Sequence, residues 1–182
     1  GAFPDLDVDA FLTFAHREPY WEQLKQDMAV LRQAVPGIKL YQMTHPSMEV
    51  VYRPLQERWP IAADAIRTPE GTVFESAVYS RAWLNELAER DWGVLYYVPR
   101  PGSAQLAALL ANINRGMDEC GLDGIYCDEF SWAFSRNGYS RYDYSRWDGY
   151  SADLDDDGAI VRLKADAAMI TEECQRRMTG EV

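Results

Sequence analysis

Apolar side chains recur at three- and four-residue intervals in four stretches of the chain, the spacing that lines one face of an α-helix. The first predicted helix runs from about Pro19 to Val35, with Trp21, Leu24, Met28, Leu31 and Val35 on its stripe. Pro19 suits a first helical turn, and Pro36-Gly37 ends the pattern. The second helix spans about Arg81 to Asp91, with Ser80 as N-cap and Trp83, Leu84, Leu87 and Ala88 aligned. The third spans about Ala104 to Cys120, between Ser103 as N-cap and Gly121 as its stop, and carries Leu106, Leu109, Leu110, Ile113 and Met117. The fourth runs from about Ile160 to Met178 through Ile160, Leu163, Ala167, Ile170 and Cys174.

Three short runs read as strands: Ile38 to Met43, Val94 to Val98 and Gly124 to Cys127. Each follows closely on one of the first three helices. They are apolar throughout rather than alternating, which predicts strands covered on both faces, as in a parallel sheet. Helices and strands in alternation then predict βαβ units with right-handed crossovers. The long connections fall after the strands, from Thr44 to Ser80 and from Asp128 to Ala159, whereas Pro99 to Ser103 is short. In parallel α/β folds such loops line the functional face at the carboxyl ends of the strands. The expected fold class is therefore α/β, a partial (β/α)8 TIM-type barrel with parallel strands and long strand-to-helix loops, forming a single domain. A complete barrel takes about 250 residues, so the chain is expected to be a piece of a larger one. A compact open α/β sheet is the alternative.

Asp128 and Glu129 follow directly on the third predicted strand. Hydrolysis of a glycosidic bond needs two carboxyl groups, one to protonate the leaving oxygen and one to attack the anomeric carbon or activate water. Neighbouring residues of a strand point to opposite faces, so Asp128 and Glu129 do not form that pair by themselves. Asp128 is the expected nucleophile or base, with Glu129, Asp148 or Asp143 as candidate acid or ligand. The competing structural account has Asp128 and Glu129 cap a loop or pair with Arg136, Arg141 or Arg146.

The segment that follows is dense in aromatics: Tyr126, Phe130, Trp132, Phe134, Tyr139, Tyr142, Tyr144, Trp147 and Tyr150, interleaved with Ser, Arg, Asn and Asp. Sugar rings have apolar C–H faces and polar edges, which such a composition suits. Aromatic residues also make protein contacts and local cores. The candidate substrate contacts are Tyr126, Trp132, Tyr144 and Trp147, together with His45 beyond the first strand. His16 has no such placement.

Gly121-Leu-Asp-Gly-Ile-Tyr-Cys-Asp-Glu-Phe130 resembles the G-x-D-G-[IVF]-[YF]-x-D-[EV] strand of several glycoside-hydrolase-type barrels. These include α-galactosidase-like and endo-α-N-acetylgalactosaminidase-like groups and glycosidases of unassigned activity. Tyr144 to Asp153 and Arg67 to Thr72 resemble stretches of the unassigned proteins, so the resemblance covers about Arg67 to Ala168. It implies that Asp128 is a nucleophile or substrate ligand. The downstream strand that carries the partner acid in such families is not in this chain.

Charge and composition narrow the rest. The 18 basic and 29 acidic residues leave a net charge of −11, which disfavours nucleic-acid backbones and anionic membranes as partners. No apolar run approaches the roughly 18 residues of a membrane span. The expected partner is a carbohydrate substrate, together with the rest of a larger barrel or a second copy of the chain. Cys120, Cys127 and Cys174 show no metal or disulfide spacing and read as buried free thiols. Gly1 reads as a processed end from which a leader could have been removed, and localisation stays open.

Asp153-Leu-Asp-Asp-Asp157-Gly158 matches the opening of a calcium loop, but Lys164 stands where the bidentate glutamate belongs. An acidic Asp-Gly turn between two extended pieces is the preferred reading, and no metal or other cofactor is expected. No G-x-S-x-G elbow or phosphate loop occurs. Three functions compete: a glycoside hydrolase, a non-catalytic carbohydrate-binding or interaction module, and a metal-dependent hydrolase rich in carboxylates.

Overall fold

The computed structural model describes residues 7–84, 91–128 and 142–167. The chain enters through a short helix α1 (Val8–Leu12), capped by the Asp7 carboxylate on the Ala10 amide at 2.9 Å, and a 3-10 turn at Ala15–Arg17. Helix α2 (Glu18–Ala34) follows with Pro19 in its first turn and ends before Gly37, whose φ of +83° suits glycine. Strand β1 (Tyr41–Thr44) leads through His45-Pro46-Ser47 into β2 (Met48–Tyr52). Two 3-10 turns, Arg53–Arg58 and Ala62–Asp64, precede helix α3 (Ala77–Leu84). Then come β3 (Trp92–Tyr96), α4 (Ala104–Cys120) and β4 (Gly124–Cys127). The last described part holds β5 (Tyr142–Asp143), β6 (Ala152–Leu154), β7 (Ile160–Leu163) and β8 (Ala165–Asp166).

The expected partial TIM-type barrel is not what forms. Among the described residues the strands make four two-stranded sheets, of which β1–β4 is parallel and β2–β3, β5–β8 and β6–β7 are antiparallel. None closes into a barrel, and the arrangement is α+β rather than alternating α/β. The error lies in how the apolar run from Val94 to Val98 is buried. Val94, Tyr96 and Val98 enter one core with Met48, Ile66, Phe74, Leu106, Leu109 and Ile113. Leu95 and Tyr97 enter a second core with Phe11, Val51, Leu55, Trp59, Ile61 and Ala65. Successive strand side chains point to opposite faces. An antiparallel strand between two cores therefore reads like a parallel one between helices. The second core is supplied largely by the segment expected to be a loop of the functional face.

Two helices need correction. The predicted Arg81–Asp91 helix begins earlier, at Ala77, because Ser76 rather than Ser80 caps it, accepting the Tyr79 amide at 3.2 Å. Ser80 lies inside the helix; its hydroxyl donates to Glu75 Oε1 (2.7 Å) and accepts from the Val94 amide (2.9 Å). The predicted Ile160–Met178 helix is strand at its start, where β7 pairs back on β6 across an Asp155–Gly158 turn, and residues 168–178 lie outside the described residues. The expected Ala104–Cys120 helix is observed with those bounds. Its Ser103 cap accepts the Leu106 amide, and Gly121 stops it in the left-handed region at φ 72°.

Candidate functional site

The parallel pair sets the geometry. β1 and β4 run in register from Tyr41↔Gly124 to Thr44↔Cys127, and the Asp128 amide donates to the Thr44 carbonyl at 2.9 Å, extending the ladder. His45 and Asp128 thus leave neighbouring strand ends side by side. His45 Nε2 lies 3.8 Å from Asp128 Oδ2, a charge-range contact longer than a hydrogen bond. The imidazole is largely buried and the carboxylate more than a third exposed.

At the opposite end of the pair, Asp123 keeps the strands aligned. Its carboxylate accepts from the Leu40 amide (3.0 Å) and pairs with Lys39 and Arg32 at 2.9 and 2.8 Å. The Leu40 amide, then Lys39 and Arg32, hold this carboxyl down at about 2. Gly124 lets the Tyr41 ring lie close against the strand, since a Cβ there would sit 3.1 Å from that ring. In the Gly-Leu-Asp-Gly-Ile-Tyr-Cys-Asp motif the first aspartate is therefore structural, and the second stands at the open end.

The turn carrying His45 is fixed from below. Gln105 Nε2 donates to the Pro46 carbonyl (2.8 Å), and the Tyr97 amide donates to the Ser47 carbonyl (2.8 Å). Gln105 in turn gives its backbone amide to buried Asp64 at 2.9 Å. The first turn of α4 thus supports the site loop.

His45 also lines a cavity of about 650 Å³ built from α1, α2, β1, β2, β3 and α4. Phe11, Tyr20, Trp21, Met43, Met48, Trp92 and Ile113 give it apolar walls, with Gln42, Glu49, Arg17, His16 and Asn112 as polar groups. Tyr20 accepts from Gln42 Nε2 at 2.8 Å, and His16 stacks on Phe11 with ring centres 4.9 Å apart. Both histidines of the chain border this space. Glu49 pairs with Arg17 at 2.8 Å, and the Arg17 guanidinium lies over the Phe14 ring at 4.4 Å.

Of the residues expected from sequence, His45 and Asp128 are brought together. Tyr126 is exposed on β4 opposite Met43, a cavity residue. Glu129 and Trp132 lie outside the described residues.

Tyr144, Trp147 and Asp148 belong to the unit formed by β5 to β8. Tyr144 donates its amide to Arg67 and its hydroxyl to Asp153, while the Trp147 ring is exposed. Asp148 accepts the amides of Tyr150 (3.0 Å), Ser151 (2.7 Å) and Asp166 (2.8 Å). Desolvation pushes its carboxyl up, but these bonds and the Ser151 hydroxyl outweigh it and hold it well below the usual carboxylate range. That bonding knots a loop; a proton donor needs the opposite shift. Asp143 is likewise engaged: it is buried, takes the Arg67 amide and the Ser145 hydroxyl, and faces Arg146 Nε at 3.2 Å. Arg146 thus pairs with Asp143.

Two other side chains are settled by their surroundings. Burial, reinforced by the Asp128 charge, pushes the Cys127 thiol up to about 11, so it is no thiolate nucleophile at neutral pH. Asp155 spends its carboxylate on the Asp157 and Ala159 amides of the β6–β7 turn, as an Asp-Gly turn requires. Among the described residues no cluster of three or more His, Cys, Asp or Glu side chains could hold a metal ion. Among those residues, too, no helix is long and apolar enough to cross a membrane.

Arg17, Tyr20, Glu49 and Trp92 were missed as site residues. Trp21 was legible only as a helix-stripe residue. The available signal was the density of aromatic and charged residues from Phe11 to Trp21, but only tertiary structure sets it against β2. Compared with known proteins, the chain matches no family model, no curated protein and no solved structure.

Proposed function

We propose that this protein is a carbohydrate-active hydrolase cleaving O-glycosidic bonds, with Asp128 as nucleophile or base at the edge of the cavity. The observation that carries the reading is the contact between Asp128 and His45, which lines an aromatic cavity furnished with a carboxylate and a guanidinium. Aromatic walls take the C–H face of a sugar, and the polar groups take its hydroxyls. The likeness of the Gly121–Phe130 stretch to the glycosidase strand motif supports the same assignment, although not through a barrel. His45 acts as a positioning residue for the Asp128 carboxylate. Glu129 keeps its role as candidate acid or ligand.

The test is turnover of a panel of p-nitrophenyl glycosides. Asp128→Asn should lower kcat/KM by about a hundredfold or more on any glycoside the wild type cleaves. Unchanged turnover in that variant removes Asp128 from the chemistry. A second reading, a non-catalytic carbohydrate-binding module, is favoured by the exposed Trp147 ring. It predicts glycan binding that persists in Asp128→Asn and fails in Trp147→Ala, with no wild-type turnover.

A further inference from the structure

We infer that Arg17 and Glu49 form a hydroxyl-recognition pair, and that the cavity takes an uncharged pyranoside in preference to an acidic sugar. The inference rests on the carbohydrate reading above and narrows it to a substrate class.

Glu49 is the one carboxylate among the cavity's described lining residues, and Arg17 is the one guanidinium. They use Oε2 and Nη2 for each other at 2.8 Å, and both side chains are about three-quarters buried or more. A carboxylate accepts only and a guanidinium donates only. A hydroxyl does both, so two neighbouring hydroxyls on a sugar ring match the mixed edge this pair presents.

The pair is also held before any ligand arrives. The guanidinium is fixed between the Phe14 ring at 4.4 Å and Glu49, and Glu49 is fixed by β2 pairing to β3. Little side-chain ordering then remains to be lost on binding. Tyr20 and Trp21 border the same space, with ring centres 5.3 Å apart, and supply apolar surface for the ring face.

An acidic sugar fits less well. Its carboxylate would meet Glu49 directly, or would take Arg17 away and leave the Glu49 charge partly buried and unpaired. The remaining titratable groups lining the cavity are His16, His45 and Tyr20.

The experiment compares methyl glucoside and methyl galactoside with the matching methyl uronides, by tryptophan fluorescence and ligand-observed NMR on the full chain. The neutral glycosides should bind at least about tenfold more tightly, the scale of one hydrogen bond to a charged group. Glu49→Gln keeps the shape and removes the charge. It should shrink that preference to within about threefold, with a melting curve establishing that the variant is folded. Uronides that bind wild type as well as the neutral sugars would overturn the inference while leaving the carbohydrate reading standing. So would an unchanged preference in Glu49→Gln. Failure of every glycoside to bind would overturn both.

Discussion

Two aspartates five residues apart do different work: Asp123 ties the start of the β1–β4 pair together, and Asp128 stands beside His45 at its other end. Asp123 carries a folded-state value of about 2 against its ordinary 3.8. A depressed value stabilises the fold fully above the unfolded value and loses that effect as pH falls through the folded one. Asp148 shifts in the same direction. Melting temperature should therefore drop between about pH 4 and pH 2, and Asp123→Asn should flatten part of that drop. A melting temperature constant from pH 5 to pH 2 would contradict this bonding.

Cys127 offers a second check: half-buried and with its thiol pushed up to about 11, it should react with iodoacetamide much more slowly at neutral pH than a free thiol, and faster as pH rises. Rapid labelling of Cys127 in the folded protein at pH 7 would count against its burial. At this scale the sequence was informative about Asp128 and His45, because strand-end position is a local property. It was silent on Glu49 and Arg17, whose meeting joins positions 32 residues apart.

Among the elements, α4 was readable to the residue because its signals are local: a serine cap, a five-residue apolar stripe and a terminal glycine. Ser103→Ala should cost about 1 kcal/mol and lower the urea midpoint accordingly, since the same hydroxyl also accepts the Arg100 amide. Strand pairing was not readable. The β2 stretch Met48 to Tyr52 sits in what looked like a loop, and its partner β3 is recognisable as a strand but not as antiparallel.

That pairing depends on Gly93, where a Cβ would lie 2.8 Å from the Glu75 carboxyl carbon. Glu75 has little room to move, being held by Arg53 at 2.6 and 2.7 Å and by Ser80. Gly93→Ala should destabilise by about 1–3 kcal/mol. A variant as stable as wild type in urea would show that the carboxylate yields.

For the whole molecule, β3 is the partition between two cores, and the segment from Arg53 to Asp64 is a wall of the second. Leu95 is 1% exposed and belongs to that second core, so Leu95→Ala should cost about 2–5 kcal/mol by equilibrium unfolding. A loss well under 1 kcal/mol would mean the second core adds little. The barrel expectation failed at this scale because burial on both faces leaves the same apolar run whichever way the neighbouring strand points. The contact between His45 and Asp128 does not depend on a barrel, since it needs only the parallel β1–β4 pair and the turn at His45.

The most direct test of that site measures turnover and sugar binding together, on wild type and Asp128→Asn, with the same neutral aryl glycoside. The account predicts turnover lowered by about a hundredfold or more with binding kept within about threefold. Equal turnover in the two proteins would contradict it.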